Sequence, residues 1–294
     1  MGKSIVLPGL AVLGGVLGFG IRRGQWAVSY DSTTQLFLPG HPITIGLILL
    51  MAVLVLAFLL LLRGIPHPKA GLSPFRCPSP TYMTLMAASG LLFLGSGALG
   101  LLEGLDQLTL WRANPDSQVL TYPMALILCA LLSFAAGPAT LMLGRSAYRG
   151  EASSNLSVWV NLPPLAGLVW VFASHLAHGT DPALLGYGIS LAAAVFLLLA
   201  HYEGAAFFFD RSHPFRAAFS ALLGSTLGLI SLADALSPFQ MALTIAFVLS
   251  ALANTWALLH NTFGPPWPKR LLEARPPREV QKDEEEDEDD HLDL

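Results

Sequence analysis

Eight apolar segments, each close to the length that crosses a bilayer, constrain this chain more than any other feature. A transmembrane helix needs about 20 predominantly apolar residues. The segments lie near residues 5–21, 42–62, 82–102, 120–143, 157–176, 182–203, 215–233 and 238–260. Hydrophobic residues make up 53% of the 294 residues and charged residues only 12%, whereas soluble domains carry about 25% charged residues. We therefore predict an all-α, polytopic integral membrane helix bundle with eight transmembrane helices.

The distribution of basic residues predicts the orientation of this bundle. Of the 16 Lys and Arg residues, all but Arg22, Arg23 and Arg112 fall on the side that holds both chain ends. Basic residues are retained on the cytoplasmic side of a membrane. We therefore expect both termini in the cytoplasm. Termini on the same side require an even number of transmembrane helices, which agrees with the predicted eight.

A sequence segment that occurs twice in similar form predicts an internal repeat. The segment LPGLAVLGGVL at 7–17 returns as LPPLAGLVWVF at 162–172, and weaker matches relate the next three predicted helices to the last three. Leu and Ala are common in membrane helices, so chance is the alternative explanation. Because four helices return the chain to its starting side, the pattern predicts a 4+4 parallel repeat about an axis along the membrane normal. The match also indicates that the first segment is a retained helix and not a signal peptide.

The repeat divides the chain into three parts. We predict a first four-helix unit at 1–150, a second at 151–263 and an acidic cytoplasmic tail at 264–294. The tail contains DEEEDEDD at 283–290, which is too charged and too poor in apolar residues to fold. We expect this tail to be disordered, and its charge makes it a candidate contact for a basic protein partner.

The third and seventh predicted helices are rich in small residues. Ser96 and Gly100 in one align with Gly224 and Gly228 in the other, and this spacing lets helix backbones approach closely. We expect the two helices to face each other or the bundle centre, where they would line a path between the repeats. Packing with no further role is the alternative.

Five charged residues near the outer helix ends are the candidate site residues. They are Glu103, Asp106, Asp234, Arg22 and Arg23. Carboxylates at membrane depth are costly unless they are paired or solvated, so they are candidates for a substrate or ion path. The two arginines could hold an anionic ligand or lipid phosphate. As alternatives, the arginines snorkel to headgroups, and the carboxylates cap loops or pair with the arginines.

The remaining polar residues favour no cofactor, metal or catalytic residue. His175 and His178 have the spacing of metal ligands, with Asp181 and His41 nearby, but without a cysteine or HExxH partner the pattern is too weak for a metal site. His201 lies at the predicted water boundary, which favours an interfacial role.

The chain also lacks the motifs of several other protein classes. It has no phosphate-binding glycine loop and no GxSxG elbow, so we do not expect an enzyme. Its basic residues follow topology instead of forming a patch, so we expect no nucleic-acid partner.

The stretch GFGIRRGQW at 18–26, with Asp31, Thr34 and LPGHP at 38–42, resembles uncharacterised multi-pass membrane proteins of anaerobic Firmicutes. The resemblance covers roughly the first fifty residues. It implies a bacterial cytoplasmic membrane and no activity.

Together these features favour a small-solute transporter or permease-like protein, whose partners are the lipid bilayer and the solute. The predicted function rests on the predicted fold, because transporters often bind substrate between internal repeats. The alternative is a non-transport membrane scaffold, sensor or assembly partner. Such a protein would use the external connection at 22–42 or the acidic tail as its contact surface.

Overall fold

The computed structural model describes residues 2–34, 36–115, 119–153, 155–178, 184–268 and 271. Within these residues the chain is all-α except for one short hairpin of strands β1 (Tyr30–Asp31) and β2 (Leu36–Phe37). The described helices are α1 (Lys3–Val28), α2 (Pro42–Leu61), α3 (Pro80–Ala113), α4 (Thr121–Arg149), the short α5 (Leu156–Trp159), α6 (Leu162–His178), α7 (Leu184–Ala206), α8 (Pro214–Ser231) and α9 (Pro238–Phe263).

Seven of the helical segments in the described residues are long and apolar enough to cross a membrane. They are Lys3–Val28, Pro42–Leu61, Pro80–Ala113, Thr121–Arg149, Leu156–His178, Gly186–Phe209 and Pro238–Phe263. The prediction of an all-α, multi-pass membrane protein is therefore confirmed. Helix α8, the remaining predicted span, is 18 residues long and rich in small and polar residues, so it does not count among the seven.

Helices α8 and α9 form the centre of the bundle. Helix α8 packs against α1, α7 and α9, and α9 also contacts α1, α3 and α7. Helices α4 and α6 complete the surrounding layer, whereas α2 packs mainly on α1. In the most apolar stretch of α9, 67% of the residues are buried, whereas the corresponding share in α2 is 17%. Helix α2 therefore turns most of its surface outward, as expected for a helix at the lipid boundary.

Small residues allow α8 to sit at this centre. A Cβ atom on Gly224 would lie 2.9 Å from the backbone nitrogen of Leu197 and 2.9 Å from the carbonyl carbon of Phe196, both on α7. In contrast, a Cβ atom on Gly100 of α3 would meet the Phe239 ring at 2.8 Å. Helix α8 thus lies at the bundle centre, as expected, while α3 packs along α4 and α9.

The packed helices create two distinct ends. At the end that we call the terminal end, Lys3 Nζ donates a hydrogen bond to the Leu61 carbonyl (3.0 Å) and lies 4.7 Å from the Phe263 ring centroid. The first residues of α1 and the last residues of α2 and α9 therefore meet. The opposite end carries the β1–β2 hairpin, and we call it the hairpin end.

The hairpin is short but well braced. Tyr30 pairs with Phe37 across the antiparallel strands, and Trp26 packs on both rings at centroid distances of 4.7 and 4.8 Å. The carboxylate of Asp31 accepts hydrogen bonds from the Thr33 backbone N–H and hydroxyl. These bonds lower the pKa of Asp31 and fix the turn.

Several predictions about the domains remain untested. Corresponding helices of the two predicted units have different packing partners. Helix α7 packs along α8, whereas its predicted counterpart, α2, packs mainly on α1. The internal repeat therefore stays a prediction. The acidic run at 283–290 and Asp181 lie outside the described residues.

Candidate solute site at the hairpin end

Arg22 is the centre of the polar network at the hairpin end. It lies near the end of α1, and its side chain is fully buried. Its Nε donates a hydrogen bond to Asp234 Oδ1 at 2.7 Å, and other guanidinium nitrogens donate to Gln25 Oε1 (2.7 Å) and the Gly186 carbonyl (3.3 Å). A buried guanidinium requires such partners because removing it from water is costly.

Asp234 joins this network from the connection between α8 and α9. Its backbone N–H donates to the Ser231 carbonyl (2.9 Å), and its Oδ1 also accepts a hydrogen bond from Trp26 Nε1 at 2.9 Å. Burial raises the pKa of Asp234, while the Arg22 charge and the Trp26 hydrogen bond oppose this rise. The other carboxylate oxygen, Oδ2, is buried and has no hydrogen-bond partner among the described residues.

A cavity of about 160 Å³ borders Asp234, and we call it the outer cavity. Its walls come from the end of α1, from α6 and α7, from the start of α9 and from the connection before α9. Polar side chains that line it are Ser174, His178, Ser190, Gln240 and Thr244. Trp26, Trp170 and Tyr187 supply aromatic surface. Mixed apolar walls with a few placed polar groups are typical of small-molecule sites.

Local structure fixes the walls of the outer cavity. Ser237 and Gln240 form a reciprocal capping box that starts α9 three residues after Asp234. The Tyr187 ring stacks on His178 at 4.8 Å, which joins α7 to α6. Gln25 Nε2 donates to Thr44 Oγ1 at 2.8 Å and connects the network to α2. The site is therefore held by helices and capped turns.

The five predicted site residues do not lie together. The structure pairs Arg22 with Asp234, which agrees with one of the alternatives considered from the sequence. Glu103 is half-buried and Asp106 is exposed; both lie on α3 beside the first residues of α9, in a separate recess. Arg23 is exposed, so snorkelling remains an interpretation for Arg23 but not for the buried Arg22.

A second, smaller cavity of about 50 Å³ lies closer to the terminal end, and we call it the inner cavity. Its polar lining includes Thr140, His201, Ser250 and Asn254. His201 Nε2 lies 2.8 Å from Ser250 Oγ inside the bundle. The ring is directed toward α9, and an interfacial role for His201 stays a prediction.

Glu203, two residues after His201, lies beside exposed basic side chains. It is buried but faces His213 at 3.5 Å and Arg216 at 3.9 Å, and both of those side chains are exposed. The sequence reasoning overlooked the serines and threonines of both cavities. A signal was present in Ser190, a polar residue within the apolar first half of α7.

The described residues contain no group of three or more His, Cys, Asp or Glu side chains that could hold a metal ion. Cys77 and Cys129 are both buried, and neither forms a disulfide bond among the described residues. No protein-family model, curated protein or solved structure matches this chain.

Proposed function

We propose that the protein is a small-solute transporter or permease-like protein that binds its solute in the outer cavity. The observation that supports this proposal is Asp234, a residue that lines the cavity and whose carboxylate oxygen Oδ2 is a buried acceptor without a partner among the described residues. Leaving a buried polar atom unsatisfied costs about 1–3 kcal/mol, more for a charged group. A solute hydrogen-bond donor at this oxygen would remove that cost.

The surroundings of Asp234 favour a ligand over a purely structural role. Arg22 and Trp26 both bond to Oδ1, so they already fix the position of the carboxylate. Oδ2 is not needed for that purpose, and Ser174, Ser190 and Gln240 line the same space. These hydroxyl and amide groups can both donate and accept hydrogen bonds, which suits a polar molecule.

We further propose eight membrane spans, with α8 as the eighth, and a 4+4 repeat. An 18-residue helix is about 27 Å long, close to the roughly 30 Å of a bilayer core. In this topology the terminal end faces the cytoplasm of a bacterial cell and the hairpin end faces outward. The basic residues near the terminal end, including Lys3, Arg63 and Arg145, support that orientation.

The experiment measures solute binding and then transport. The full chain, purified in lipid nanodiscs, is screened for solutes that raise its thermal unfolding temperature, and each hit is tested for uptake into proteoliposomes. We expect Asp234→Asn to abolish both effects, because the amide removes the acceptor charge beside the cavity. Asp106→Asn is the matched control, an exposed aspartate whose replacement leaves both effects unchanged.

Two results would contradict the proposal. One is a hit that stabilises Asp234→Asn as well as the unmodified protein, which would place the ligand elsewhere. The other is the absence of protein-dependent uptake for every hit, which would favour the scaffold, sensor or assembly role. Ser190→Ala, a smaller change in the same cavity, provides the comparison if Asp234→Asn does not fold.

A further inference from the structure

Aromatic rings connect the outer cavity to the inner cavity. Trp170 lines the outer cavity, and its ring stacks on Phe247 of α9 at a centroid distance of 5.5 Å. Phe247 also contacts His201 of the inner cavity, whose ring meets it edge-on at 4.8 Å. Phe93 packs against the same ring at 4.9 Å. Phe247 therefore contacts one residue that lines the outer cavity, Trp170, and one that lines the inner cavity, His201.

The inner cavity offers a complementary pair of hydrogen-bonding groups. His201 Nδ1 lies 2.8 Å from the Leu197 carbonyl, which can only accept, so Nδ1 is assigned the proton and Nε2 accepts from the Ser250 hydroxyl. Asn254 Oδ1 accepts a hydrogen bond from the Tyr82 hydroxyl (2.9 Å). The Asn254 amide nitrogen is left as a donor for a molecule in the cavity.

Neither cavity offers a net charge to an ion. Among the described residues, no carboxylate, lysine or arginine lines the inner cavity. The outer cavity has Asp234, but the Arg22 guanidinium lies only 2.7 Å away and compensates its charge. An ion entering this path would lose its hydration without gaining a counter-charge, which is strongly unfavourable.

We propose that the inner cavity is a second site for the same solute, that Phe247 separates the two sites, and that the solute is an uncharged polar molecule. This inference rests on the proposed function. The solute donates to Asp234 Oδ2 in the outer cavity and accepts from the Asn254 amide in the inner one. Its size follows from the outer cavity, since a cavity of about 150 Å³ accommodates a molecule as large as benzene.

The two cavities differ in size, so the solute can pass from the outer to the inner cavity only if the protein changes conformation. The inner cavity is about 50 Å³, so it does not hold this solute in the conformation described. Rotation of the Phe247 ring away from Trp170 and His201 would join the two spaces. The polar groups on either side would then bind the solute in sequence.

The test measures swelling of proteoliposomes by light scattering, with glycerol and urea as uncharged probes and choline and methanesulfonate as permanently charged ones. We expect Phe247→Ala to increase the entry of glycerol and urea several-fold over the unmodified protein, and to leave both ions excluded. Phe239→Ala is the matched control, because Phe239 is an equally buried ring on the same helix that does not separate the cavities.

Three results would overturn the inference. They are unchanged glycerol and urea entry in Phe247→Ala, equal entry of glycerol and choline in that variant, and equal entry in Phe239→Ala. If Phe247→Ala fails to fold, Phe247→Leu keeps apolar volume, and Asn254→Leu in the same background should reverse its gain for glycerol. The screening experiment with Asp234→Asn stands apart from these results. A hit that depends on Asp234, combined with no effect at Phe247, would leave the proposed function intact and remove only the inner site.

Discussion

Replacing Arg22 with methionine tests whether the network at the hairpin end stabilises the bundle. The variant removes the guanidinium but keeps a side chain of comparable length, so the main loss is electrostatic. Asp234, whose side chain is 3% exposed, would then be a buried carboxylate without its cation. Removing one partner of a buried ion pair costs about 3–5 kcal/mol. We expect the free energy of unfolding of Arg22→Met to fall by that amount.

The individual contacts support this magnitude. Hydrogen bonds to charged groups contribute about 1.5–3 kcal/mol each. Arg22→Met deletes the bonds at 2.7 Å to Asp234 and at 2.7 Å to Gln25, and methionine restores part of the lost packing. The matched control is Arg23→Met, because the exposed neighbour Arg23 should change stability by no more than about 0.5 kcal/mol.

The assay is reversible unfolding in mixed detergent micelles, measured for both variants at several pH values. Without Arg22, burial raises the pKa of Asp234 in the folded state and only the Trp26 hydrogen bond opposes the rise, so the stability of Arg22→Met should fall as the pH rises above the pKa of the unfolded chain. This fall should be steeper than in the unmodified protein, in which Arg22 opposes the shift. Equal stability of Arg22→Met and Arg23→Met would refute the reasoning. So would an Arg22→Met/Asp234→Leu double variant that is less stable than Arg22→Met, because removing both charges should recover most of the loss.

Two further predictions concern packing and capping. Gly224→Ala should destabilise the bundle by about 1–3 kcal/mol, because the new methyl group meets the α7 backbone. Gly95→Ala should be neutral or slightly stabilising, because the space around Gly95 is open. Thermal unfolding of the two purified variants compares them, and equal melting temperatures would contradict the packing of α8 against α7. Ser237→Ala removes the hydroxyl that accepts a hydrogen bond from the Gln240 backbone N–H and should cost about 1 kcal/mol. The same unfolding assay measures this loss, with Ser157→Ala, at a half-buried position of the short helix α5, as the comparison.

The membrane class was predictable because it depends on composition and segment length alone. A segment such as Pro42–Leu61 has no charged residue, so its role needs no knowledge of its neighbours. The arrangement of the helices was less predictable. Ser96, Gly100, Gly224 and Gly228 indicate that backbones approach closely, but small residues do not specify which helix approaches. In the structure, Gly224 lies against the backbone of α7, and Gly100 lies against Phe239 of α9.

The candidate site was predictable only in part, for a related reason. Arg22 and Asp234 were identified because charges at membrane depth are rare, and each carries its own signal. Glu103 and Asp106 carry the same signal yet lie on another face of the bundle. The polar groups of the cavities, including Ser190 and Asn254, were overlooked because serine and asparagine are unremarkable residues until two helices bring them to the same space.

The Arg22–Asp234 pair links assembly of the bundle to formation of the outer cavity. Its members are 212 positions apart and come from the two predicted units, and the Gly186 carbonyl of α7 joins them. An arginine that lacks its partner at membrane depth is costly, so α1 reaches its buried position only when α8 delivers Asp234 beside it. The same event places Asp234 at the wall of the outer cavity. The outer cavity therefore takes Trp26 from the first predicted unit, whereas its other lining residues come from the second.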